Sequence, residues 1–241
     1  NNVGVGNSFM QLLYYVPDFY DYYAFSDQDD IWEKDKIIQA IECLVNNNAI
    51  LYGSNQRCVD SEENFLEYRY NKDERINLSP ESILERNMIA GCTMVFTREL
   101  YLILNKHRPT PDLLHNRIHD VWVAMVASLC GKIYYDNRAF MNYRQHEKNL
   151  VGAYDYGIIC DIKRKIKKIF CVAERNGRSR LAEEIVYYFP LESQKHDCLK
   201  MAANSKTVNG KLLLLKNRYK FIIYTGETQL GFMLKVLLGV F

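Results

Sequence analysis

Apolar positions along this chain follow two rhythms, one helical and one extended, and the two alternate for most of its length. Ile37, Ile38, Ile41, Leu44 and Val45 recur at helical spacing and predict a helix from about Glu33 to Val45. A short helix is predicted at Ser8 to Tyr15, and the aromatic run Asp21 to Ser26 reads as a strand. "AILYGSN" is a second strand, and the polar stretch from Asp60 to Asn77 reads as an exposed excursion.

"SPESILERNMI" begins a helix with Ser79 as N-cap and Pro80 at its first position. "GCTMVFT" then reads as a strand, "RELYLILNKH" as a helix and "RPTPDLL" as a loop held open by two prolines. "HDVWVAMVASLCG" is apolar almost all round and predicts a buried helix. "KIYYD" and "AFMNYRQH" read as two short strands, and beyond Gly152 only helices are predicted. Strands alternating with helices, followed by a helical tail, predict an α/β domain with a C-terminal extension, the boundary falling near residues 150 to 156.

Composition narrows the class. The chain has 241 residues and 48% hydrophobic content, enough for one sizeable core. With 31 basic and 29 acidic residues the net charge is +2, so no bulk field argues for nucleic acid. A nucleic-acid module on the basic stretch Lys163 to Arg180 is set aside because its isoleucines fall at core spacing. Seven scattered cysteines without a CxxC pair fit neither a zinc knuckle nor a disulfide framework and suggest a reducing, cytoplasmic setting. No apolar run reaches the roughly 20 residues of a spanning helix. The opening "NNVGVGNSFMQLL" has no methionine and reads as a loop running into a helix, as expected of a fragment.

Three places carry candidate chemistry. "FSDQDDIW" sets Asp27, Asp29 and Asp30 at the end of a strand, where carboxylates suit Mg²⁺ or Mn²⁺; the plainer reading has Asp29 and Asp30 capping the next helix. Both hold if Asp30 caps while the other two reach a ligand. In "HNRIHDVWV", Asp120 beside His119 stands where a buried helix begins and can serve as a base, or simply as an N-cap. In "YRQHEKN", Arg144 and His146 follow a strand; His146 is either a metal ligand or a surface histidine. There is no Walker loop, GxGxxG turn, GxSxG elbow or HExxH helix.

Taken in order, "FSDQDDIW", "NMIAGCTMVFTREL" and "HDVWVAMVASLCGKIYYDNRAFMNYRQHEKNLVGA" resemble the bacterial family 2 glycosyltransferases, especially the rhamnosyltransferase-like branch that builds cell-surface polysaccharides. The resemblance covers about residues 1 to 153. It implies a GT-A fold, a Rossmann-like sandwich that binds a nucleotide-sugar with Mn²⁺ or Mg²⁺ on its diphosphate, leaving 154 to 241 as a helical, membrane-associated extension. By that resemblance Asp27 and Asp29 match the family's DxD, Asp29 favoured as the direct metal ligand, and Asp120 matches the base of an inverting transfer. His146 matches a late metal or diphosphate ligand, with Arg144 grouped with Asp27 and Asp29 at the donor. Gly91, Cys92 and Thr93, with His119 and Trp122, fall on the substrate side.

The family's first strands, with their Thr-Tyr-Asn-like and DDGS-like motifs, have no counterpart here, which implies weak donor binding or none unless they are supplied. The alternative is a truncated, non-catalytic domain that binds a glycan or a partner protein. In the tail, Ile158, Ile162, Ile166 and Ile169 form one helical face ringed by Lys163, Arg164, Lys167 and Lys168. That pattern suits an anionic membrane surface or a helix packed on the domain with a solvated basic face. The expected setting is the inner face of the bacterial plasma membrane, with a glycan or lipid-linked acceptor.

Overall fold

The structure is a computed structural model that describes residues 3–116, 119–145, 176–190, 196–225, 228–239 and 241. His146, the expected boundary near 150 to 156 and the basic helix of 156 to 170 lie outside the described residues.

In chain order the elements are α1 (Val5–Tyr15), β1 (Tyr22–Ala24), β2 (Ile31–Trp32), α2 (Lys36–Asn47), β3 (Leu51–Val59) and β4 (Phe65–Tyr68). There follow α3 (Pro80–Glu85), a 3-10 turn (Gly91–Thr93), β5 (Val95–Thr97), α4 (Arg98–Lys106), α5 (Pro111–Asn116), α6 (His119–Cys130) and β6 (Ile133–Arg144). The last elements are all helical: α7 (Gly177–Tyr188), α8 (Asp197–Ala203), α9 (Val208–Lys216), α10 (Tyr219–Thr225) and α11 (Gln229–Leu238). The α/β class with a helical C-terminal part is therefore as the sequence pattern implied.

Local chemistry accounts for several boundaries. Ser79 accepts a hydrogen bond from the Ser82 amide and Pro80 opens α3, as expected. Thr97 caps α4 in the same way by accepting from the Leu100 amide, and Asn48 ends α2 in the left-handed region at φ 49°.

Elsewhere tertiary pairing overrides the local reading. α2 begins at Lys36, because Ile31 and Trp32 are taken up as a strand against Asn142 and Met141 of β6. Asp35, with no side-chain cap bond, holds the N-cap position, so the reading of Asp29 or Asp30 as caps of this helix is corrected. "GCTMVFT" is a 3-10 turn followed by a three-residue strand. "KIYYD" and "AFMNYRQH" are one strand, and the excursion contains β4, paired on Arg57 to Val59 of β3. Pro111 opens α5 within the segment expected to be a loop.

The strands form one six-stranded sheet in the order β1-β5-β3-β6-β2, with β4 also on β3. Only β3 and β6 run parallel among the described strands; every other pairing is antiparallel. Side chains alternate between faces, so Leu51 and Phe96 join one core cluster while their neighbours Tyr52 and Val95 join the other with Ala40, Cys43 and Leu44 of α2.

The larger cluster takes in α6, whose residues His119 to Ala127 are all buried, together with Leu181 and Ile185 of α7, Leu199 of α8, Phe221 of α10 and Phe232 of α11. The terminal helices thus share the core of the sheet's helices rather than hanging beside it. Arg178 of α7 ties them further, meeting the almost fully buried Glu85 carboxylate of α3 at 3.1 Å. Among the described residues no helix is long and apolar enough to cross a membrane.

Candidate active site

β1 ends three residues before Asp27, and the acidic turn folds back toward the 3-10 turn that precedes β5, the neighbour of β1 in the sheet. Pairing of β1 with β5 is what brings the two turns together. Donor atoms of Asp27, Asp30 and Cys92 lie within 4.8 Å of one another. Both Asp30 oxygens are buried and receive no N–H or O–H bond among the described residues; the neighbouring polar group is the Cys92 thiol.

Burial pushes the Asp30 carboxyl up to about 6, against the lowering effect of the Cys92 hydrogen bond and with the charges of Asp27 and Asp29 adding to the rise. Asp27 is raised by burial first and by Asp29 second. Asp29 is half-buried and acts on both neighbours through its charge. Burial holds the Cys92 thiol well above its ordinary value, so it stays protonated.

These residues fit a divalent cation. Hard carboxylate oxygens suit Mg²⁺ or Mn²⁺, and the buried Asp30 carboxyl, with the half-buried Asp27 beside it, is stabilised by a positive charge placed between them.

Lys36 closes the back of the cluster. It is fully buried at the start of α2; its Nζ donates to the Cys92 carbonyl at 2.7 Å and lies 3.5 Å from the centre of the Trp32 ring. Burial pulls its ammonium down to about 8, while the thiol of Cys92 and the carboxylates of Asp30 and Asp27 work in the opposite direction. Behind Cys92, Gln56 Nε2 stands 3.1 Å from Sγ, and Gln56 Oε1 accepts from Arg69 Nη1 at 2.9 Å. Sequence reading missed Lys36, Gln56 and Arg69. A lysine in line with Ala40, Cys43 and Leu44 on the buried face of α2 was the one available signal.

The other side of the 3-10 turn meets α6. Gly91 lies against His119, whose ring stacks on Phe9 at 4.2 Å and meets Phe25 edge-on at 4.8 Å. Burial lowers the His119 imidazole to about 3, so it is neutral, and neither ring nitrogen has a hydrogen-bond partner among the described residues. Asp120 follows within the first turn of α6, buried, its Oδ1 accepting from the Val121 amide at 2.6 Å. One chain of contacts therefore runs from the acidic turn through Cys92 and Gly91 to His119, the residue before Asp120.

No family model matches the chain. A 166-residue stretch is 35% identical to the dTDP-rhamnosyl transferase RfbG of Shigella flexneri, covering 62% of this chain and 52% of the relative. The chain spans about half the length of the curated relative it matches. Among solved structures, S. aureus TarS 1-349 in complex with UDP-GlcNAc aligns over 98% of this chain and 72% of that chain, with 14% identity and a TM-score of 0.46, too remote to transfer any residue's role.

The remaining sequence candidates scatter. Thr93 is fully buried and donates its hydroxyl to the Ala90 carbonyl at 2.8 Å. Trp122 is turned into the core at 1% exposure, edge-on to Tyr188 of α7. Arg144 ends β6 and pairs with Glu63 at 3.0 Å.

Proposed function

We propose that this chain is the sugar-transferring part of a nucleotide-sugar-dependent glycosyltransferase with a dTDP-rhamnose or UDP-hexose type of donor. The observation that carries this reading is the cluster of Asp27, Asp30 and Cys92, whose neighbour Gly91 lies against His119, the residue before Asp120. Likeness to a dTDP-rhamnosyl transferase supports it.

In the proposed reaction Asp120 accepts the proton of an acceptor hydroxyl, the hydroxyl oxygen bonds to the anomeric carbon, and the bond from that carbon to the diphosphate oxygen breaks. The electron pair leaves with the nucleoside diphosphate, so a single displacement inverts the anomeric centre. Asp27, Asp29 and Asp30 are the groups that would hold Mn²⁺ or Mg²⁺, which when bound neutralises charge on the departing diphosphate. Neutral His119 and Gly91 fix the first turn of α6 beside that cluster, and the apolar cage of Phe9 and Phe25 keeps water from the imidazole.

The acceptor in this reading is a cell-surface glycan or its lipid-linked precursor, handled at the inner membrane face. Exposed Leu212, Ile223, Leu230 and Leu234 beside Lys211, Lys216, Lys220 and Lys235 support peripheral attachment there. Flotation with anionic liposomes is expected; a protein left wholly in the soluble fraction would remove the membrane partner.

The deciding experiment is calorimetric titration of the chain with UDP and with dTDP, with Mn²⁺ present and then chelated. Weak, metal-dependent binding is the expected result. A folded protein silent to both nucleotides in either condition would favour a non-catalytic, glycan- or protein-binding domain.

A further inference from the structure

Lys36 occupies a place that the pattern of α2 reserves for an apolar side chain, in line with Ala40, Cys43 and Leu44 and 0% exposed. Burying an ammonium is strongly unfavourable unless other groups compensate it. Here the compensation comes from two segments: the Cys92 carbonyl at 2.7 Å, and from residues 27 to 32 the Trp32 ring face at 3.5 Å with the charges of Asp27 and Asp30. Packing alone would be served by a leucine or methionine. Compensation of two acids alone would be served by a lysine at the surface. A lysine sealed inside places a fixed positive charge where solvent and salt screen it least.

We propose that Lys36 is a positioning residue that holds the acidic turn against the Gly91–Thr93 turn and, as a resident positive charge beside Asp27 and Asp30, sets how tightly a divalent cation binds there. This rests on the reading of those carboxylates as cation-holding groups. Lys36 does the two tasks with different atoms' worth of chemistry: the hydrogen bond to Cys92 fixes geometry, and the charge opposes an incoming cation. A divalent ion entering the cluster meets repulsion from the ammonium that a neutral side chain would not exert.

Substitution separates the two. Lys36→Gln removes the charge and keeps an N–H donor for the Cys92 carbonyl, whereas Lys36→Met removes both. The test is an electron-paramagnetic-resonance titration of the full chain with Mn²⁺ alone, together with thermal melting in chelator and in Mn²⁺. Lys36→Gln is expected to bind Mn²⁺ about tenfold more tightly than the unaltered chain or better, and Lys36→Met to gain less, because it also loses the bond to the Cys92 carbonyl. They are also expected to melt lower in chelator and to be restored by Mn²⁺, which takes over the missing charge.

A lysine that only fills space predicts unchanged or weaker Mn²⁺ binding in a folded Lys36→Gln protein, and that result would overturn the proposal. So would a variant that unfolds in chelator and is not restored by Mn²⁺. If the unaltered chain binds Mn²⁺ and the variants merely match it, the role of Lys36 fails while the cation site stands. If no folded form binds Mn²⁺, the cation-holding reading fails and this proposal falls with it.

Discussion

Gly91 and His119 approach so closely that a Cβ on residue 91 would stand 2.3 Å from the imidazole Nε2. The contact fastens the turn before β5 to the first turn of α6, and the missing side chain at position 91 is what allows it. Gly91→Ala is expected to cost about 1 to 3 kcal/mol in urea denaturation, the usual range for overpacking a core. In a His119→Ala background the same change should cost distinctly less, because the clash is gone. Equal costs in the two backgrounds would show that the contact is not the cause.

The caged imidazole also makes stability depend on pH. Burial lowers His119 from 6.5 to about 3, so between those values the unfolded chain binds a proton that the folded chain refuses. Its effect on stability is absent above the unfolded value, and stability is lost as pH falls from about 6.5 toward 3, by up to about 1.4 kcal/mol per pH unit. Denaturation at pH 7, 6 and 5 should show a steeper fall in the unaltered protein than in His119→Leu. Parallel curves would mean that the imidazole is not held neutral.

Asp120 is the proposed base, and asparagine can keep its bond from the Val121 amide while losing the ability to take a proton. In a complete enzyme Asp120→Asn should therefore leave folding, Mn²⁺ binding and nucleotide binding intact while lowering turnover at least about 100-fold. An active Asp120→Asn enzyme would remove the assignment.

The acidic turn offers a choice between neighbours. Asp30, beside Asp27 and Cys92, is the proposed direct cation ligand, whereas the family resemblance favoured Asp29. Asp27→Asn and Asp30→Asn should each weaken Mn²⁺ binding about tenfold or more by removing an anionic oxygen donor. Asp29→Ala should weaken it as well, through loss of a charge that acts on both neighbours. A titration in which only Asp29→Ala matters would return the direct-ligand role to Asp29.

Arg178→Ala tests how firmly the terminal helices belong to the fold. It strands the Glu85 carboxylate, 1% exposed, without its guanidinium and is expected to cost about 3 to 5 kcal/mol. A loss below about 1 kcal/mol would mean that the terminal helices contribute little through this contact.

Elements whose making depends on near neighbours in the chain were legible. Ser79 and Pro80 announced α3, the all-apolar run from Val121 announced the buried helix α6, and the aromatic run announced β1. Elements that exist only because a distant strand pairs with them were not. Ile31 and Trp32 became a strand against β6, and the polar residues of the excursion became β4 against the far end of β3. Likewise β3 runs on through Gln56 to Val59, past the end of the strand read at "AILYGSN", and the buried Asn55 is satisfied by both backbone groups of Tyr70.

The same division runs through the site. By itself the sequence determined which residue types were present for chemistry, the acids after β1 and the His-Asp pair at the head of a buried helix, because composition and helical or extended spacing are local properties. Only the tertiary structure decided that Asp30 rather than a helix cap meets Cys92, that Gly91 seats His119, and that Lys36 stands inside the acidic cluster. Those relationships depend on strand order and on which face of α2 is buried, and both are settled by packing between segments tens of residues apart.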